Sequence, residues 1–131
     1  MPAKAVWGVL LALLVACDER ERLTFETGPD DRVGPTTHID PPSKDTVLTE
    51  GDIFVVGART WDSSGVDTVY IRVEGANLSY LPLSADGVDT FAFAVSLPTI
   101  GLSGRTITLG VHGVDVIGNV GPTVSRRLTI Q

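Results

Sequence analysis

Hydrophobic and polar positions change rhythm twice along this chain. The stretch from Ala5 to Ala16 is a twelve-residue run without a charge. From Asp18 to the prolines at Pro41-Pro42, neither a helical nor an alternating apolar period survives. Beyond that, apolar residues recur at every second position in short runs, separated by Gly, Pro, Asp and Ser. A period of two is the mark of a strand with one face turned to a core, and several such runs at short spacing predict an all-β sandwich. No long segment of period 3.6 occurs outside the first 16 residues.

The predicted strands can be taken in order. A short one lies near Thr46 to Leu48. Asp52 to Trp61 puts Phe54, Val56, Ala58 and Thr60 on one face, and Val69, Ile71 and Val73 alternate with Thr68, Tyr70 and Arg72 in the next strand. A weaker strand near Leu78 to Leu83 is limited by Pro82 to an edge or an end, because proline has no N–H to give a ladder. Phe91, Phe93, Val95 and Leu97 then face inward, followed by Ile107, Leu109, Val111 and Gly113. The last strand, about Thr123 to Ile130, buries Leu128 and Ile130, but its parity also turns Arg126 inward. Either a bulge corrects the register or Arg126 snorkels at the sandwich end.

Two of these strands run into the same pattern, Asp62-Ser63-Ser64-Gly65 and Asp115-Val116-Ile117-Gly118-Asn119. One explanation is calcium, which takes 6–8 oxygens from clustered carboxylates and carbonyls. The other is a turn in which each Asp accepts nearby N–H groups and each Gly takes positive φ. No consecutive loop here is dense enough in Asp to resemble a calcium ligand array, so the turn is the expectation and no metal is assigned. Asp86-Gly87-Val88-Asp89 is expected to be a loop between edge strands. The strand-then-Asp pattern resembles the bacterial immunoglobulin-like domains of surface proteins. That resemblance implies an immunoglobulin-like antiparallel β-sandwich of about seven strands over residues 37–131, preceded by a tether over residues 17–36.

The apolar run ends in Leu14-Val15-Ala16-Cys17, behind a short n-region carrying Lys4. A membrane-spanning helix needs roughly 20 apolar residues, so twelve mark a secretory signal instead. These four residues resemble the lipobox of bacterial lipoproteins. The resemblance implies cleavage after Ala16, a diacylglycerol on the Cys17 sulfur, and attachment to a membrane on the exported side. Inner and outer membrane are both compatible with it. The mature chain would have 115 residues, and loss of Lys4 takes the formal net charge from −6 to −7. Nucleic acid and anionic lipid are poor partners for such a chain, since both require Lys and Arg to neutralise phosphate. Cys17 is the only cysteine, so no disulfide can form within the chain.

Catalysis has little support in the sequence. Gly-x-Ser-x-Gly, Cys-x-x-Cys and His-Glu-x-x-His are absent, no glycine-rich phosphate loop occurs, and His38 and His112 lack a patterned partner. No enzyme activity, catalytic residue or cofactor is expected. Two function classes remain: an envelope module that binds a protein or glycan or acts as a spacer, and a non-catalytic accessory subunit of envelope enzyme, transport or secretion machinery. In the immunoglobulin-like arrangement the third, sixth and seventh strands share a sheet. The residues opposite their core-facing sets are Tyr70, Arg72, Thr108, His112, Arg127 and Thr129, a basic and aromatic patch on an acidic chain. Tyr and Arg are enriched where interfaces concentrate their energy, which makes this the candidate binding face.

Overall fold

The computed structural model describes residues 32–131. The signal peptide, Cys17 and most of the tether lie outside the described residues. Six strands follow one another: β1 (Thr36–Ile39), β2 (Thr46–Leu48), β3 (Ile53–Glu74), β4 (Leu83–Pro98), β5 (Thr106–Asp115) and β6 (Val124–Ile130). β1 is an element that the apolar rhythm did not single out, because four residues are too few to establish a period.

β3 carries the architecture. Its 22 residues join what the sequence divides into two strands, so six elements replace the expected seven or so. Its first half pairs antiparallel with β1, Ile39 opposite Ala58, and with β4, Val56 opposite Val95. Its second half pairs with β5, Ile71 opposite Val111; β5 pairs with β6, and β6 takes β2 in parallel. The pairing along β3 shifts register between Trp61 and Val66. There the Asp62 carboxylate accepts the Ser64 N–H at 2.7 Å, diverting it from the ladder. Gly65 has φ 95°, and a Cβ on it would lie 2.5 Å from the carbonyl oxygen of Gly87. Only glycine fits a backbone approach that close. Asp62 to Gly65 is therefore a bulged corner inside one strand, where the sequence pattern implied a turn between two.

A similar correction applies to Asp86-Gly87-Val88-Asp89, which lies within β4 instead of forming a loop. Asp86 and Gly87 have φ of 53° and 80°, so the turn chemistry is present, yet Val88 still pairs with Val66. Of the weak strand expected over Leu78 to Leu83, only Leu83 is in a strand, starting β4 directly after Pro82.

The inward parities hold. Ile39, Val56, Ala58 and Val95 from the first layer pack with Val69, Ile71, Leu109 and Val111 from the second. A second cluster gathers Leu48, Leu97, Ile107, Leu128 and Ile130. Each such aliphatic side chain contributes about 1.5–3 kcal/mol by leaving water. Inward-facing Thr60 satisfies its hydroxyl against that of Thr37 at 3.0 Å. Phe91 and Phe93 face inward but are only half-buried, stacked at 5.6 Å between centroids, because β4 is paired on one side only, with β3. Arg126 faces inward without any register shift between β5 and β6. Its stem lies along the sandwich and its guanidinium donates to the carbonyls of Pro42 and Ile39, both at 3.0 Å, which is the snorkelling solution.

Candidate functional site

The second half of β3, β5 and β6 lie side by side in that order, so alternate residues of the three strands share one outer surface. Tyr70 stands opposite His112, Arg72 opposite Gly110, and Thr108 opposite Arg127. The Tyr70 and His112 rings stack with centroids 5.1 Å apart and planes 13° from parallel. Beside the stack is a groove of about 240 Å³ walled by Arg72, Thr108, His112, Thr123 and Ser125, with Gly110 at its floor. A Cβ on Gly110 would lie 3.1 Å from the Thr123 methyl carbon, so this glycine keeps the floor clear.

Of the six residues singled out from the sequence, Arg72, Thr108 and His112 line the groove and Tyr70 stacks beside it. Arg127 is on the same surface but does not line the groove; its main-chain N–H donates to the Asp45 carboxylate at 2.8 Å. The surface is also less basic than the sequence implied. Arg72 Nε lies 3.3 Å from Glu74 Oε1, both side chains being largely exposed, so the groove presents mixed charge. Glu74 was findable: two residues beyond Arg72 in a strand, it necessarily shares a face with it. Gly110, Thr123 and Ser125 carried no such signal, since a groove floor is defined only by its neighbours across the sheet.

The outer surface of the other layer has a concavity of about 430 Å³ lined by His38, Asp40, Gly57, Arg59 and Ala92. Next to it, the Arg59 guanidinium sits 5.1 Å from the centre of the Trp61 ring. That pair comes from a single strand, whereas the Tyr70 and His112 surface draws polar groups from three.

The two Asp corners differ in how fully they are used. Asp62 accepts one N–H, from Ser64. Asp115 is buried; its Oδ1 accepts the main-chain N–H groups of Ile117 at 3.1 Å and Asn119 at 2.8 Å, and its Oδ2 the Asn119 side-chain amide at 2.9 Å. Gly118 has φ 91° and donates to the Asp115 carbonyl, closing the turn. Among the described residues, no group of three or more His, Cys, Asp or Glu side chains is placed to hold a metal ion. Burial raises the Tyr80 hydroxyl above the usual tyrosine pKa, and this hydroxyl donates to the Ser96 carbonyl at 2.8 Å.

No protein-family model matches the chain, and no curated protein sequence does. Among solved structures it is similar to the SrpA adhesin of Streptococcus sanguinis, with a TM-score of 0.54 and 18% identity over 77% of this chain. This chain spans 57% of that adhesin chain's length. The fold is an immunoglobulin-like β-sandwich. An engineered protein gives a TM-score of 0.50 and 17% identity, covering 74% of this chain and 20% of that one. Fibronectin(III)-like modules of CbhA from Clostridium thermocellum align at a TM-score of 0.47 and 11% identity, over 73% and 96% of the two chains. At such identities the likeness is one of fold, and function has to be argued from this chain's own surface.

Proposed function

We propose that this chain is a cell-envelope lipoprotein, anchored through Cys17, that presents one immunoglobulin-like module as a non-catalytic binding unit. The observation that carries the binding role is the stacked Tyr70 and His112 pair beside the Gly110-floored groove. It offers an aromatic platform, hydroxyl groups from Thr108, Thr123 and Ser125, and a guanidinium with an adjacent carboxylate, which together suit a polar ligand such as a glycan or an envelope protein loop. Nothing in that set pairs a nucleophile with a base, which is why binding is favoured over catalysis. The anchor is supported by the complete Leu14-Val15-Ala16-Cys17 motif behind a short apolar run.

Two experiments test the two halves of the proposal. Tyr70→Ala with Arg72→Glu should abolish crosslinking to a specific partner in intact cells while leaving the melting temperature nearly unchanged; undiminished crosslinking would exclude this face. Cys17→Ser should move the protein from the detergent to the aqueous phase on detergent partitioning. Equal partitioning of wild type and variant would reject the anchor.

A further inference from the structure

The point where the described chain enters the domain bears on how the module would sit at a membrane. Gly34 and Pro35 pack directly against Val120 and Gly121, so closely that neither Gly34 nor Gly121 has room for a Cβ. The described chain therefore enters the domain at the end of the sandwich formed by the Asp115 turn. That end exposes four apolar side chains, Val33 at 70%, Val116 at 49%, Ile117 at 63% and Val120 at 64%, with exposed Arg32, Asp86 and Asp89 at its rim. These side chains are held outward. The Asp115 carboxylate fixes the N–H groups of Ile117 and Asn119, and Val120 bridges to Val114, so the tip cannot fold its apolar residues back on the core. The two carboxylates built into this end, Asp62 and Asp115, are buried and occupied by main-chain donors.

We propose that this tip, Val116, Ile117 and Val120 together with Val33, rests in the headgroup region of the membrane carrying the anchor, so that the module stands on that end with its β2–β3, β3–β4 and β4–β5 turns pointing away. This inference depends on the anchor at Cys17. Cys17 precedes Arg32 by 15 residues, so even a fully extended segment keeps the tip within about 50 Å of the lipid. At the effective concentration such a tether imposes, a contact too weak to bind free protein suffices. Clustered apolar side chains at a rigid protein surface are the kind that insert at an interface. Exposed Asp86 and Asp89 flank Gly87, which faces Val116, so the contact suits zwitterionic lipid and is weakened by anionic lipid. The opposite end also exposes Ile53 and Ile100, at 69% and 77%, beside exposed Glu50, Asp52 and Arg105, but the chain does not enter the domain there. It serves as the internal control.

The test uses the lipidated full chain on phosphatidylcholine vesicles, with Ile117→Cys or Ile100→Cys carrying a polarity-sensitive fluorophore. The expected result is a blue shift and quenching by lipid-borne quenchers at position 117, none at position 100, and a smaller shift at 117 when phosphatidylglycerol is added. A chain that sediments with vesicles but gives the same signal at both positions overturns the contact and leaves the anchor standing. A chain that stays in the supernatant removes anchor and contact together. A shift at 117 that appears only when envelope proteins are added assigns the tip to a protein partner and likewise overturns the proposal.

Discussion

Asp62 and Asp115 stand at matching places in an internal echo, yet their removal should have very different effects. Asp115→Ala deletes three accepted hydrogen bonds, two of them from main-chain N–H groups at the foot of a turn. With a net contribution of about 1 kcal/mol for each bond, the cost is about 3 kcal/mol. Asp62→Ala deletes one bond, from Ser64, and should cost about 1 kcal/mol, as loss of a side-chain cap does. Asp115→Asn keeps an oxygen for the two main-chain donors and loses the partner of the Asn119 amide, so it should fall between them. For a domain of this size each kcal/mol lowers the midpoint by about 4–8 °C, so Asp115→Ala should melt more than about 12 °C below wild type. Urea unfolding of the four proteins, with unchanged slope, gives the free energies directly. If the two alanine variants lie within about 0.5 kcal/mol of each other, the reasoning from bond count is refuted. Calcium should leave all four midpoints unmoved, and a calcium-dependent rise in wild type lost in Asp115→Ala would assign a metal role instead.

Three further outcomes are expected. Arg126→Met keeps an inward stem but strips the carbonyls of Ile39 and Pro42 of their guanidinium donor, and should cost about 2 kcal/mol by urea unfolding; a neutral result would mean water replaces the guanidinium without loss. Phe93→Ala should cost about 2 kcal/mol, less than the 3–5 kcal/mol of a fully enclosed ring, because the side chain is half-buried at the β4 edge; Leu109→Ala, at a site with no exposure, should exceed it. Tyr80 holds its proton more tightly folded than unfolded, so stability is unaffected below the usual tyrosine range and falls as pH rises through it, because the folded state then binds more protons. Thermal melts of wild type and Tyr80→Phe between pH 8 and pH 11, on either side of the ordinary value of about 10, should diverge at the alkaline end; parallel curves would contradict this.

What could be read from the sequence was what depends on period and parity. Val56, Ile71, Val95, Leu109 and Leu128 face the core because alternation in a strand leaves no other choice once one face is buried. The same rule brought Tyr70 and His112 to one surface, given only that β3 and β5 are neighbours. What could not be read depends on partners distant in sequence. Asp-x-x-Gly is a corner at Asp62, where β3 continues past Gly65 because Val66 finds both Val88 and Asp115 beside it. It is a full turn at Asp115, where Asn119 donates back to the carboxylate and the chain leaves β5. Asn119 is the local residue that separates the two, since Val66 occupies the matching place in the first copy and has no amide to give. Arg126 shows the same limit from the other side: its inward parity was visible, but the carbonyls that make it tolerable belong to Ile39 and Pro42, 87 and 84 residues away. A local pattern therefore specifies which way a side chain points, while the identity of the group that receives it, and so whether a polar residue is a turn, a strut or a site, is decided by strand order.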